Sequence, residues 1–253
     1  MHIVRRKLVF AFLALVMALQ PMMSAGMVVY AQESAGTDVV SAEAEKQVKV
    51  AIISDIHYVV DSQRTEAGEK ALQTSAAAES RMFEEIDTIL SVALKQVKDW
   101  KPDVVLSCGD LLSDGELLGA QALAKKLKDA KADGLNDTGF YVVNGNHDIN
   151  NSYAEDFTKD NFWEAQRVLP KDFKENFSGL GYGDTDSYDG DASRHVFYQP
   201  TADDPAGSLS YVTEIAEGIT LIVLDTAVYT TDTNKVYNAA QQTGGVVSPG
   251  LLN

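Results

Sequence analysis

The architecture of the chain is indicated most clearly by Phe140-Tyr141-Val142-Val143-Asn144-Gly145-Asn146-His147-Asp148. It reads as an apolar strand that ends in a tight turn, where glycine permits backbone angles that a side chain would forbid. Two other stretches repeat the arrangement: Val50-Ala51-Ile52-Ile53 precedes Ser54-Asp55-Ile56-His57, and Val104-Val105-Leu106-Ser107 precedes Gly109-Asp110. Each of the three therefore puts carboxylate, imidazole or amide side chains at the end of an apolar strand.

The segments around these strand ends predict an α/β fold. Helices are predicted from Met82 to Val97 and from Glu116 to Ala130, strands over Val48–Ile53, Asp103–Ser107 and Gly139–Val143, and a hairpin from Leu209–Ile215 and Ile219–Leu224. The order strand–helix–strand–helix–strand predicts a parallel sheet with helices packed on it. Ligands gather at the carboxyl ends of such strands, so we expect the three polar stretches to form one site.

The polar residues at the strand ends fit a site for two divalent cations, which can clamp a phosphate and activate a water molecule. We expect Asp55 and His57 to bind a first metal ion. Asp110 is expected to bridge both ions, and Asn146 to bind the second. Mixed carboxylate, imidazole and amide ligands suit Mn, Fe and Zn, so the identity of the metal stays open.

His147 lies next to a metal ligand in the sequence and is expected to meet the substrate. It could protonate the leaving oxygen or stabilise phosphoryl charge, and Asp148 could orient it. Each motif taken singly also fits an ordinary turn after a strand. Three motifs in this order, each at a strand end, favour the site.

The succession Asp-x-His, Gly-Asp and Gly-Asn-His-Asp resembles the calcineurin-like metallophosphoesterase superfamily. The flanking stretches Lys101-Pro102-Asp103-Val104-Val105-Leu106 and Asp110-Leu111-Leu112-Ser113-Asp114-Gly115 are also similar to family members. The resemblance covers about Val48 to Leu224. It implies a double β-sandwich flanked by helices, hydrolysis of phosphate mono- or diesters at a dinuclear centre, and the same ligands and histidine as above.

The histidines depart from the family pattern, which continues with a lone histidine and a Gly-His-x-His motif. The four histidines of the chain are His2, His57, His147 and His195, and no Gly-His-x-His exists. His195 could replace a missing ligand, but a lone histidine at the start of a strand is usually structural. We therefore expect Asp110 and Asn146 alone on the second ion. The chain resembles the front part of a longer enzyme, with a fold incomplete at its C-terminus.

Residues 1–31 have the pattern of a secretory signal peptide. The basic stretch Arg5-Arg6-Lys7 is followed by the apolar run Leu8–Leu19, and small or permissive residues precede a cut after Ala31. A cut after Ala25 and an uncleaved membrane anchor are the alternatives. We expect a secreted or cell-surface protein that does not contact the membrane after cleavage.

Residues 32–46 are small, polar and acidic, which predicts a flexible linker. The metallophosphoesterase domain is then expected over 47–253. Within it, residues 149–200 look like a cap-like insertion over the mouth of the site, with a possible helix over Phe157–Val168. Asp184, Asp186, Asp189 and Asp191 miss the pattern of a calcium loop, which favours a solvated loop.

Charge and cysteine content narrow the function further. The net charge of −16 argues against free-standing nucleic-acid binding. The single cysteine, Cys108, is expected to be a small buried side chain. The favoured function is an exported phosphohydrolase that attacks a small phosphorylated substrate with metal-bound hydroxide. The alternative is a non-catalytic exported binding protein on the same scaffold, with an incomplete metal site.

Overall fold

A computed structural model describes residues 47–159, 164–183, 195–200, 207–232, 234–235 and 244–252. In this part of the chain, six strands form two three-stranded sheets and four α-helices accompany them. The strands are β1 (Val50–Ile53), β2 (Val104–Cys108), β3 (Gly139–Val143), β4 (His195–Phe197), β5 (Tyr211–Ala216) and β6 (Ile219–Val223). The helices are α1 (Glu69–Glu79), α2 (Ile86–Trp100), α3 (Leu117–Ala132) and α4 (Pro170–Asn176). The predicted α/β fold is confirmed, whereas the predicted signal peptide and linker lie outside the described residues.

The first sheet is parallel in the order β1-β2-β3, so its three carboxyl ends share one edge. The connections between these strands contain α2 and α3, as the sequence predicts. Helix α2 buries the apolar residues Leu90, Ala93, Leu94 and Val97, whose spacing of three and four gives one face. It ends at Lys101, which has φ 51° and precedes Pro102, and proline cannot continue a helix.

The second sheet is antiparallel in the order β4-β5-β6. Its β5–β6 hairpin confirms the predicted one and turns at Gly218, which has a φ of 75°. The sheet is tied to β3 by two buried contacts. The Tyr211 hydroxyl donates to the carbonyl of Val142 at 3.0 Å, and the Asn144 amide donates to Asp225 at 2.9 Å. The end of β3 is thereby fixed from both sheets.

The helix expected over Phe157–Val168 does not form in its described residues, 157–159 and 164–168. This stretch instead makes antiparallel bridges, from Glu155 to Glu164 and from Arg167 to Glu116. The prediction was wrong because the apolar residues serve two separate contacts. Phe157 packs with a small cluster around Phe83, whereas Val168 belongs to the main core. The aspartates considered as a calcium loop lie outside the described residues.

The main core lies between the first sheet and its helices and extends under the second sheet. Its largest fully buried side chains include Ile53, Leu90, Phe140, Phe173, Phe177, Tyr182 and Tyr211. Full burial of an apolar side chain contributes about 1.5–3 kcal/mol, so this core holds the three strand ends in fixed positions. None of the helices in the described ranges combines the length and apolar character needed to cross a membrane.

Candidate metal centre

The loops after β1 and β2 are joined by backbone hydrogen bonds that continue the parallel pairing. The amides of Asp55, His57 and Tyr58 donate to the carbonyls of Gly109, Asp110 and Leu111 at 3.2, 3.0 and 2.9 Å. Parallel strands that end at the same level leave their following residues side by side. The sequence therefore brings its first two motifs together through the backbone before any side-chain contact is made.

Among the described residues, one group of acidic and histidine side chains lies close enough together to hold a metal ion. It consists of Asp55, His57 and Asp110. One ligand atom from each lies within 4.8 Å of the others. All three residues adopt left-handed backbone conformations, with φ of 56°, 48° and 46°. Such angles are uncommon for residues with a side chain and are found where the surrounding structure imposes them. The structure thus brings together the three residues predicted to bind and bridge the metal ions.

The imidazole of His57 fits a metal ligand. Its Nδ1 atom is buried and has no hydrogen-bond partner among the described residues. Burial and the positive charge of Arg81 lower the pKa of His57 to about 4, against the opposing effect of Asp110. A neutral imidazole with a free nitrogen is the form that coordinates divalent metals. Carboxylates from two strands complete a donor set of the kind that Mn, Fe and Zn accept.

Two glycines allow β2 and β3 to end this close together. A Cβ atom on Gly109, which has φ 90°, would lie 2.9 Å from the Cα of Gly145. A Cβ atom on Gly145 would collide with the side chain and amide of Asp110. The Gly-Asp and Gly-Asn-His-Asp motifs therefore carry glycine because the two loops touch, in addition to any need for unusual backbone angles.

Asn146 and Asp110 both line a cleft of about 430 Å³. Cys108, Gly145, Thr226 and Gly245 also line this cleft. This position is compatible with the predicted ligand role on a second ion, which stays a prediction. The cleft is large enough for a small phosphorylated molecule, since ligand pockets begin at about 300 Å³.

His147 lies directly beside the three clustered residues. Its ring meets the ring of His57 edge to face at 5.0 Å, and its backbone amide donates to Asp110 at 3.0 Å. Its Nδ1 atom is 2.8 Å from the carboxylate of Asp114. Burial lowers the pKa of His147, but the hydrogen bond and charge of Asp114 raise it by more, so that the pKa is above its ordinary value. With Nδ1 at Asp114, Nε2 is the ring nitrogen that faces the guanidinium of Arg81, 3.2 Å from Nη2.

The predicted contact between Asp148 and His147 is absent, and Asp114 takes that position instead. Asp148 is fully buried and accepts the backbone amides of Gly145, Leu111 and Leu112 at 2.6, 3.2 and 2.8 Å. Burial and the charge of Asp110 raise its pKa to about 7, although the three amides favour the carboxylate. Asp148 thus ties the loop of Asp110 to the loop of His147, and a catalytic role for it stays a prediction.

Asp114 and Arg81 are the residues of this site to which the sequence assigned no role. Asp114 lies four residues after Asp110 and is 3% exposed, but nothing in the sequence distinguishes it from Asp148 as the partner of His147. Arg81 follows α1, and its guanidinium lies 3.2 Å from Nε2 of His147. Its position depends on tertiary packing between α1 and the strand ends, for which the sequence carries no signal.

Cys108 and His195 were expected to have structural positions. The prediction for Cys108 was wrong, because the residue is exposed at the end of β2. Partial desolvation of its thiol and the nearby charge of Asp55 raise its pKa, which disfavours a thiolate. His195 is buried on β4, with its ring 4.7 Å from that of Phe197 and 5.0 Å from that of Tyr211. The structure places it among aromatic rings of the second sheet, outside the cluster of Asp55, His57 and Asp110.

The sequence profile of the calcineurin-like phosphoesterase family matches residues 48–230, which include both sheets and Asp55, His57, Asp110, Asn146 and His147. No curated protein matches the chain.

Proposed function

Because the chain belongs to the calcineurin-like phosphoesterase family, we propose that it is an exported hydrolase that cleaves phosphate mono- or diesters with two divalent metal ions. The observation that carries the proposal is the convergence of Asp55, His57 and Asp110 within 4.8 Å, with His147 beside them. A structural cluster of acidic side chains would not require three left-handed residues and a buried imidazole nitrogen without a partner.

Each of the metal ligands has a distinct place in the proposal. Asp55 and His57 hold the first ion, Asp110 is shared, and Asn146 holds the second ion at the edge of the cleft. Divalent ions bound there supply charge for the phosphate and lower the pKa of a bound water. Mn, Fe and Zn all fit the mixture of oxygen and nitrogen ligands.

His147 is proposed to serve the leaving group of the ester. Asp114 holds its Nδ1 atom at 2.8 Å, so Nε2, beside Nη2 of Arg81, is the ring nitrogen left to serve the substrate. A proton on Nε2 can pass to the departing oxygen, and general acid catalysis of this kind contributes about 10²- to 10⁴-fold in rate. Asp148 holds the loop of Asp110 and the loop of His147 together through its three amide contacts.

The substrate is proposed to be a small phosphorylated molecule bound in the cleft beside Asp110 and Asn146. The net charge of −16 disfavours polyanionic partners such as nucleic acids. Export is proposed from the basic and apolar stretches of residues 1–31. Mass spectrometry of the protein from the culture medium should give an N-terminus at Gln32, and an intact leader on protein retained in the cell would contradict export.

Hydrolysis is tested with 4-nitrophenyl phosphate and bis(4-nitrophenyl) phosphate, with and without added Mn²⁺. Wild-type protein should release nitrophenol from at least one of them, and EDTA should abolish the release. Asp110→Asn and His147→Ala should each reduce the rate at least about 100-fold. Asp129→Asn, an equivalent change at an exposed residue paired with Lys125, should leave the rate unchanged. Full activity in both site variants would refute the assignment, and metal binding without hydrolysis of either ester would favour the non-catalytic binding protein.

A further inference from the structure

The side chain of Arg81 enters the site from the loop between α1 and α2. Ser80 ends α1 in a left-handed conformation with φ 56°, which turns the following residue inward. The Arg81 side chain is only 11% exposed, and its Nη1 atom is held by Glu79 at 2.5 Å and by the carbonyl of Ser113 at 3.0 Å. One end of the guanidinium is therefore fixed before any ligand binds, which removes most of the entropy cost of ordering this side chain.

The other end of the guanidinium faces His147. Nη2 lies 3.2 Å from Nε2 and 3.4 Å from Nδ1 of the ring. Nδ1 is engaged by Asp114, so a phosphate whose leaving oxygen meets Nε2 can present another of its oxygens to Nη2. The guanidinium offers five N–H donors, and the described contacts of Arg81 leave its Nε–H group without a partner.

A small cavity beside Arg81 fits one oxygen atom of a larger anion. It has a volume of about 20 Å³ and is lined by Asp55, His57 and Arg81, with apolar side chains behind them. About 10–15 Å³ is the least that holds a single water molecule, so the cavity admits an oxygen but not a whole phosphate group. Arg81 therefore shares with Asp55 and His57, two of the candidate metal ligands, a space with room for one oxygen of an anion bound there.

The charges around Arg81 distinguish this role from a purely structural one. Glu79 and Asp114 each carry a carboxyl group close to the guanidinium, at 2.5 and 3.9 Å. Both acids lie near Nη1. Pairing of Arg81 with these acids therefore does not explain why its other nitrogen, Nη2, lies beside the imidazole of His147. The positive charge of Arg81 also lowers the pKa values of both His57 and His147. It supplies positive charge where the other side chains are acidic or imidazole groups.

We propose that Arg81 is a substrate-binding residue that donates to a non-bridging oxygen of the substrate phosphate, beside the leaving oxygen that His147 serves. This rests on the proposed hydrolysis of phosphate esters and assigns its substrate class as phosphate monoesters. A monoester has three non-bridging oxygens and a second negative charge, whereas a diester has two such oxygens and one charge. An additional cationic donor is therefore worth more to the monoester, because hydrogen bonds between charged groups are about twice as strong as neutral ones.

The test measures binding of inorganic phosphate to the full chain by calorimetry, with Mn²⁺ and after EDTA treatment. Arg81→Gln should weaken binding about 10- to 100-fold, which is the usual loss for a charge-assisted hydrogen bond. The phosphate affinity of Arg81→Lys should lie between those of wild type and Arg81→Gln, because lysine keeps the charge and loses the planar arrangement of donors. Arg64→Gln is the matched control, since Arg64 contacts Asp61 and the carbonyl of Glu84 but no histidine, and it should bind within twofold of wild type.

Phosphate affinity in Arg81→Gln within twofold of wild type, with unchanged metal content and thermal unfolding, would overturn the proposal. If Arg81→Gln fails to fold, Arg81→Lys decides, and phosphate affinity equal to wild type in that variant would overturn it too. The ratio of kcat/KM for nitrophenyl phosphate over the diester should fall at least about tenfold in Arg81→Gln, and equal losses would overturn the monoester assignment. A wild type that binds phosphate through Arg81 yet cleaves no ester would refute the proposed function alone.

Discussion

The pair formed by Asp114 and His147 gives the sharpest prediction about the proposed reaction. Asp114 is 3% exposed, and its Oδ1 atom accepts from His147 at 2.8 Å and from Asn151 at 2.9 Å. Asp114→Asn keeps the size of the side chain and one oxygen. If that oxygen keeps both contacts, the new amide nitrogen takes the place of Oδ2, beside Arg81 and Ser113. The substitution therefore removes charge while retaining the geometry.

The expected loss follows from that change of charge. Hydrogen bonds to a charged group contribute about 1.5–3 kcal/mol, and neutral ones about half as much, so the pair loses about 0.75–1.5 kcal/mol. The new amide nitrogen also faces the donor groups of Arg81 and Ser113, and this contact between donors adds a similar cost. We expect kcat to fall about 10- to 100-fold, at about 1.4 kcal/mol for each factor of ten. KM should change little, because Asp114 acts through His147 and does not line the cleft beside Asn146.

Steady-state kinetics on 4-nitrophenyl phosphate measure both quantities, with Asp129→Asn as the control for removing a carboxylate far from the site. Circular dichroism and metal analysis must show a folded, loaded variant. Unchanged kcat in Asp114→Asn would refute the orienting role of the carboxylate. A rise in KM at constant kcat would refute it as well, because it would mean that Asp114 contributes to substrate binding rather than to the orientation of His147.

Three further predictions test the scaffold and the ions. Gly145→Ala should lower Mn²⁺ affinity at least tenfold in calorimetry, because its methyl group displaces Asp110, whereas unaltered affinity would show that the loop adapts. Asp55→Asn should lower the number of metal ions bound per chain, as measured by mass spectrometry of metals, and an unchanged number would remove Asp55 from the ligand set. Burial and the charge of Asp114 raise the pKa of Glu116 to about 8. Between its ordinary pKa and pH 8, this carboxyl group is therefore protonated in the folded chain and ionised in the unfolded chain. The free energy of unfolding falls as the pH rises through this range. Glu116→Gln should remove this fall. In urea unfolding from pH 5 to 7, the free energy of unfolding of the variant should therefore rise relative to wild type by up to about 1.4 kcal/mol per pH unit. A difference between the two proteins that does not change with pH would refute the assignment.

The sequence predicts the three strand ends well because the apolar runs of the strands and the helical spacing between them agree. Apolar runs of four or five residues define β1, β2 and β3, and the helical spacing of Leu90, Leu94 and Val97 separates the first two. Parallel order then forces the carboxyl ends to one edge, whatever the details of packing. The convergence of Asp55, His57 and Asp110 follows from these local patterns alone.

The contacts around His147 could not be predicted in the same way. Asp148 directly follows His147 in the sequence, whereas Asp114 lies 33 residues before it, and each is a buried aspartate in a loop. Which carboxylate meets the imidazole depends on the path of the backbone after Asp110, since Asp148 is committed to three amides. Arg81 reaches the ring across 66 residues of sequence, through the position of α1. Such long-range placements leave no periodic signal.

Left-handed backbone angles connect the fold to the chemistry. Six non-glycine residues in the described ranges have such angles, and two of them, Ser80 and Lys101, end helices. Three of the other four are the clustered candidate ligands Asp55, His57 and Asp110. Each such residue costs of order 1–3 kcal/mol, which persists only where neighbouring structure imposes it. Here the imposing structure is the row of backbone hydrogen bonds between the loops after β1 and β2, backed by the core beneath the sheet. The stability of the parallel sheet thus holds the ligands in an arrangement that their own backbone preferences oppose.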